Sequence, residues 1–161
     1  MELNVKILNQ NFVNSEQAAQ LFALEYNEPC LATIDQTEYV HINGTKQPIR
    51  GSMFYNTIDC PTNQDVIDWA IKVHGLYASM VPEFYGNGVN INWQIMWARD
   101  TSPNTLDPKP NGTYWYGDNG EYPTHHAVLI AMIDKLIELI QYKNLNGEFQ
   151  DPRGIHVRRG V

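Results

Sequence analysis

The sequence predicts an α+β fold, an antiparallel sheet packed by about three helices in a single domain, and three stretches carry that prediction. Residues 89–97 (VNINWQIMW) alternate apolar and polar side chains with period two, which only a strand sends to opposite faces. Pro61-Thr62-Asn63-Gln64-Asp65 sets a threonine three residues before an acid, a capping-box variant that starts a helix. Residues 125–143 (HHAVLIAMIDKLIELIQYK) form a third signal: apolar around most of a helical girth, with one narrow polar or small stripe at Ala127, Ala131, Asp134, Glu138 and Gln141. A helix of that kind is covered on more than one side, so it is central or lies at a subunit interface.

Each element follows in order along the chain. Leu3, Val5 and Ile7 alternate with polar residues as a short strand. Asn14 or Ser15 caps a helix reaching about Tyr26, with Ala18, Leu21, Phe22 and Glu25 at helical spacing and Pro29 as its breaker. Residues 30–34 (CLATI) and 38–42 (EYVHI) make a hairpin about Asp35-Gln36-Thr37, and Asn43-Gly44 ends the second strand. Met53, Phe54 and Tyr55 are candidates for a further strand. The helix opened by Thr62 places Val66, Trp69, Ala70 and Val73 on one face and stops at Gly75. Residues 76–81 pair with the 89–98 strand through Gly86-Asn87-Gly88. That strand is expected to turn Val89, Ile91, Trp93, Ile95 and Trp97 inward and a row of Asn90, Asn92, Gln94 and Met96 outward. Residues 99–123, broken by Pro103, Pro108, Pro110 and Pro123, are expected to be one long loop carrying Tyr114-Trp115-Tyr116. Thr124 opens the last helix. The alternation of helices and hairpins is a rough internal echo, with no residue-level repeat beneath it.

Composition narrows the function classes. An apolar fraction of 43% with 18% charged residues is that of a globular chain, and 161 residues fill one domain. The net charge is −7. Three of the 11 basic residues, Arg153, Arg158 and Arg159, lie in the acid-free tail 152–161, leaving 8 against 18 acids, or −10, on the rest. Such a body disfavours duplex DNA, because phosphate contacts need Lys and Arg. The acids are dispersed and do not imitate nucleic acid. Cys30 and Cys60 make neither a disulfide framework nor a zinc site. The start MELNVKILNQ has no apolar signal core, and no run approaches a membrane span. The expectation is a cytoplasmic protein with free thiols and no membrane contact. The Asn-Gly-Thr triplets at 43 and 111 are then chance matches to a glycosylation pattern.

The segments 27–35 (NEPCLATID), 60–82 (CPTNQDVIDWAIKVHGLYASMVP) and 122–140 (YPTHHAVLIAMIDKLIELI) resemble, in order and spacing, a group of short uncharacterised proteins of bacteriophages and related mobile elements. Proteins of that group carry an EPC strand, a Pro-Thr-capped helix with a tryptophan, and a C-terminal helix opened by Tyr-x-Thr. The resemblance spans about two-thirds of the chain. It implies a setting, a small phage accessory protein in the host cytoplasm, and no activity or functional residue.

Several groups are candidates for chemistry. His125 and His126 open the last helix, where an imidazole can meet an anion or act as a base; adjacent helical residues point apart and do not share a metal. Asp134 and Glu138 share a face at i,i+4, where two carboxylates can serve as acid and base, although a solvated stripe is the simpler account. Cys60 precedes a capped helix, whose dipole can lower a thiol pKa, with His41, His74 or His126 as partners; an inert buried cysteine is favoured. Gly86-x-Gly88 precedes a strand and is a turn, not a phosphate loop. In the tail, Ile155 and Val157 alternate with His156 and Arg158 as a strand would, and arginine forks suit phosphate.

Three function classes remain. The favoured one is a non-catalytic binding protein using Asn90, Asn92 and Gln94 for hydrogen bonds, Tyr114, Trp115 and Tyr116 for stacking, and Arg153, His156 and Arg158 for an anion. Its ligand would be a nucleotide or other anionic, partly planar small molecule. In the phage setting, such a protein sequesters a host nucleotide signal or blocks a host protein. The second class is a small hydrolase or nucleotide-modifying enzyme pairing His125 or His126 with Asp134 or Glu138. The third is an oligomeric structural or interaction protein; whichever class holds, the chain is expected to form a homo-oligomer, a dimer through the last helix. No cofactor and no metal are expected.

Overall fold

A computed structural model describes residues 10–47, 57–86, 88–98, 113–117 and 122–150. The expected strand at Leu3, Val5 and Ile7, the candidate strand at Met53, Phe54 and Tyr55, most of the 99–123 segment and the tail 152–161 lie outside these residues.

Helix α1 (Ser15–Ala23) starts from a full capping box. The Asn14 side chain accepts from the Gln17 N–H at 2.8 Å, and the Gln17 side chain accepts in return from the Asn14 N–H at 3.2 Å. It ends earlier than the expected stop near Tyr26. Glu25 turns left-handed (φ 60°), the Tyr26 N–H reaches back to the Leu21 carbonyl and the Glu25 N–H to that of Phe22. This is a Schellman ending with glutamate where glycine is usual, so Pro29 is not the breaker.

Strand β1 (Cys30–Ile34) and strand β2 (Val40–Gln47) form the expected hairpin. Its turn is organised by Asp35, whose Oδ1 accepts from the Thr37 hydroxyl and from the N–H groups of Thr37 and Tyr39, while Oδ2 lies 3.1 Å from His41 Nε2. The Thr37 hydroxyl first, then His41 and the backbone donors, hold the Asp35 carboxyl well below the usual carboxylate range. Strand β2 runs past Asn43-Gly44 instead of ending there. The pair still marks an irregularity, because the register jumps from Ala32↔Ile42 to Cys30↔Gln47. Strand β3 (Ile58–Cys60) pairs on the other side of β1, so β1 is central and Cys30, Ala32, Thr33 and Ile34 are all buried.

Helix α2 (Asn63–Trp69) begins with the expected box between Thr62 and Asp65. It then widens into a π turn (Ala70–His74) that Gly75 closes at φ 68°. An α-helical step from Trp69 leads to Val73, whereas the five-residue step of the π turn leads to His74. That is why Val73, expected inside, is 52% exposed while the His74 ring packs edge-on against Trp69, with ring centroids 4.7 Å apart.

Strand β4 (Tyr77–Tyr85) and strand β5 (Gly88–Ala98) form the second hairpin, in register from Tyr77↔Met96 to Tyr85↔Gly88, with Gly86 left-handed in the turn. Pro82 is tolerated because β4 is an edge strand. Strand β6 (Thr113–Gly117) lies within the stretch expected to be loop and pairs with the far end of β5. Among the described residues the strands form two antiparallel three-stranded sheets, ordered β2-β1-β3 and β4-β5-β6. The first strand is central in one and the second in the other, so the helix–hairpin echo is not a repeated topology.

Helix α3 (His125–Asn146) joins the parts. Thr124 caps it through the Ala127 N–H, and it packs on β4 and β5 and against α1 and α2. Val128, Met132, Ile133, Leu136, Ile137, Leu139 and Ile140 are buried within this one chain. The girth that suggested a subunit interface is therefore met by a central position. On the facing strand, Trp93, Ile95 and Trp97 are buried as expected and Ile91 partly so. Val89 is 62% exposed, with its register partner Phe84 at 77%, because the tip of the hairpin projects beyond the core.

Trp93 is 4% exposed and its indole N–H donates to the Tyr122 hydroxyl at 2.9 Å. Its truncation to alanine should lower unfolding stability by about 3–5 kcal/mol, read by urea denaturation; a cost below about 1 kcal/mol would mean that this face is not the core.

Candidate functional site

The amide row falls on β5, but its members differ. Asn92 is 2% exposed and its side-chain N–H donates to the Glu83 carboxylate at 2.8 Å, leaving Oδ1 enclosed and without a partner. Asn90 and Gln94 are half-buried. The buried amide thus ties β5 to its neighbour, and an acid stands beside the row. Backbone pairing sets Met96 opposite Trp115, and Ile95 and Trp97 opposite Tyr116 and Tyr114. Two features some 20 residues apart are thereby neighbours on adjacent strands. Arg153, His156 and Arg158 lie outside the described residues.

The acid–base candidates do not converge. Asp134 accepts from the Gln17 side chain at 2.8 Å, and Glu138 from Lys135 at 2.7 Å, so each carboxylate has its own partner. Eight residues of helix separate His126 from Asp134, about 12 Å of rise, which is beyond any direct proton transfer. Cys60 is fully buried and its thiol donates to the Val13 carbonyl at 3.3 Å. Burial, then Cys30 and Glu38, push that thiol up to about 12, so the helix dipole does not activate it.

The residue that does face a cleft is His126. A slot of about 260 Å³ lies between the 10–14 segment, the β1–β2 hairpin and the first turns of α3. Phe12, Val13, Ile34, Val40 and Ile130 wall it with apolar surface. His126 closes one end, half-buried, with its Nδ1 enclosed and unpartnered. Glu38 lines it too, left-handed at φ 64° and clasped to Ser15: its carboxylate accepts from the Ser15 N–H at 3.1 Å and from the Ser15 hydroxyl. The segment 10–14 is pinned by Asn63, whose backbone N–H donates to the Asn11 carbonyl and whose side chain donates to that of Gln10. Chemically, the slot offers apolar walls, a ring nitrogen at a helix N-terminus and a carboxylate already hydrogen-bonded to a helix start.

Gln17 and Glu38 were not singled out in the sequence. Gln17 is 1% exposed and its amide donates to both the Ile130 carbonyl and Asp134, binding α1 to α3. The Asn14-x-x-Gln17 spacing is the signal that would have shown its capping role, but no local pattern announces a partner more than a hundred residues away. Among the described residues no group of three or more His, Cys, Asp or Glu is placed to hold a metal ion, and no helix is long and apolar enough to cross a membrane. Comparison with protein-family models, curated proteins and solved structures finds no match.

Two outcomes follow from these surroundings. Cys30 and Cys60 are each 0% exposed. Both should resist a thiol reagent in the native protein and react once it is unfolded; rapid native labelling would contradict their burial. His74 is held below its ordinary pKa by burial first and Lys143 second, with its Nε2 enclosed and unpartnered. The folded state prefers it neutral, so its contribution is present above the unfolded pKa of about 6.5 and is lost as pH falls through the folded value. Tm should therefore drop on acidification through pH 6.5, and His74→Phe should lessen the drop.

Proposed function

We propose that this chain is a non-catalytic binding protein that holds a small, partly planar ligand with an anionic or acceptor group in the slot at His126. The observation that carries the reading is the enclosed, unpartnered Nδ1 of His126 at the end of an apolar slot of about 260 Å³. Apolar walls with a few placed polar groups are what small-molecule sites have in common, and the volume suits a single ring system. The N-terminus of α3 supplies positive potential for a carboxylate or phosphate beside the imidazole. Within the phage setting implied by the sequence resemblance, a nucleotide signal of the host is the concrete ligand class, sequestered and not consumed. A second reading, blockade of a host protein, is favoured by the exposed Phe84 and Val89 at the tip of the second hairpin, an apolar pair with a partner's surface still to be met.

A thermal-shift screen with nucleotides, cyclic nucleotides and aromatic acids tests the first reading. A ligand at 100 times its Kd should stabilise the protein by about 2.7 kcal/mol. His126→Ala should abolish the shift while changing the free protein's stability by less than about 1 kcal/mol, since the lost nitrogen makes no bond in the described structure. Consumption of the stabilising ligand would overturn the non-catalytic reading, and an undiminished shift in the variant would remove the ligand from this slot.

A further inference from the structure

A second cleft, independent of the His126 slot, opens between the end of α1 and helix α2. Its volume is about 220 Å³, and Glu28, Asp65 and Asp68 line it with Lys72, Tyr26 and Trp69. Three carboxylates against one ammonium leave it strongly negative on a body that is already acidic. Asp65 and Asp68 reach it from α2, one turn apart; Asp68 Oδ1 accepts from Gln64 at 2.8 Å, and Asp65 Oδ2 from the Thr62 N–H at 3.3 Å. Glu28 holds Lys72 at 2.9 Å across the rim, with the lysine 69% exposed.

Tyr26 supplies an observation that the acids do not. It is only 9% exposed, lines the cleft, and its hydroxyl is enclosed without a hydrogen-bond partner. Burial dominates the surroundings of the hydroxyl; of the charged groups near it Cys30 comes first, then Asp65 and Glu28, two of the carboxylates of the cleft, and Asp59. The Schellman ending of α1 sets it there, by sending the Tyr26 N–H back to Leu21 and the ring onto Trp69 at 5.2 Å and 63°. Burying a polar group unpaired is unfavourable, and a ligand N–H would satisfy it.

We propose that this cleft binds the ammonium end of an aliphatic amine. An ammonium carries three donors and one positive charge. The phenol oxygen of Tyr26 accepts one donor, Asp68 and Asp65 accept others, and the rings of Tyr26 and Trp69 give a cation–π surface. The methylene stem lies along the aromatic walls and leaves the cleft past Pro29. Lys72 is a built-in competitor: its own ammonium occupies Glu28, so the free cleft is partly neutralised until a ligand arrives. The same chemistry is offered by a free amine and by a lysine side chain of another protein.

Titration of the full chain by calorimetry or tryptophan fluorescence tests this, with n-butylamine, putrescine and N-acetyl-lysine methylamide as probes and sodium chloride at matched ionic strength as control. Saturable binding beyond the salt control is expected. Asp68→Asn and Tyr26→Phe should each weaken it about tenfold, as loss of a hydrogen bond to a charged group does. Lys72→Ala should tighten it several-fold by releasing Glu28. Tyr26→Phe should also leave the free protein's Tm unchanged or higher, because the hydroxyl it removes makes no bond there, whereas a purely structural tyrosine would lower Tm and leave binding alone. Should Tyr26→Phe fail to fold, the two surface variants still decide. Equal binding of butylamine and the lysine derivative assigns a protein lysine as a competent source, and preference for putrescine assigns a free diamine. Absence of saturation with all three probes, or equal affinities in wild type, Asp68→Asn and Lys72→Ala, overturns the proposal.

Discussion

Burial of helix α3 is the constraint on which the second sheet and the placing of α1 and α2 depend. It meets β4 and β5 on one side and α1 and α2 on others, and seven of its side chains are withdrawn from water. Three-stranded sheets have too little area to close a core on themselves, and each needs a layer to cover its apolar face. Here one helix of 22 residues serves for much of the molecule. Its polar stripe is also used, since Asp134 receives Gln17 from α1, so that packing of the first helix is fixed by a buried amide as well as by apolar contact. A lone buried amide is costly unless its donors and acceptor are met, and those of Gln17 are.

The same position explains the two clefts. The His126 slot opens where the first turns of α3 pass the β1–β2 hairpin, and the acidic cleft opens where α1 has stopped and α2 has begun. Both lie at element ends, where backbone groups and side chains have fewer neighbours than in the middle of a layer. Ordered interiors leave few polar atoms unpaired. In this chain, two such atoms, on His126 and Tyr26, belong to residues that line clefts.

Much of the fold was legible because local chemistry decided it. Thr62 with Asp65, Asn14, and Thr124 announced three helix starts through orphan backbone donors that only such side chains satisfy. The period of residues 89–97 announced β5, and the girth of α3 announced a helix covered on more than one side, which left a central place and a subunit interface both open. What was not legible depended on distant pairing. Strand β6 sits among prolines and glycines and becomes a strand because β5 offers it an edge. The π turn leaves no mark in periodicity, so Val73 and His74 were exchanged. Division into two sheets is a matter of topology, which alternation alone does not encode. The candidate site was less legible than the fold: His126 was in view for its place at a helix start, but the slot exists only because residues 10–14, 34–40 and 126–130 meet.

Glu38 has a further consequence, for the order in which the chain folds. It stands in a left-handed turn that glycine would adopt more cheaply, yet its carboxylate grips Ser15, the first residue of α1, 23 positions earlier. The strain of the turn is thus offset only when the helix start is already in place, and the helix start gains this acid, beside Glu16 of its own first turn, only when the hairpin has closed. Neither unit reaches its full stability alone. Such mutual dependence couples hairpin closure to helix initiation, each favouring the other by about 1 kcal/mol, the net worth of such a hydrogen bond.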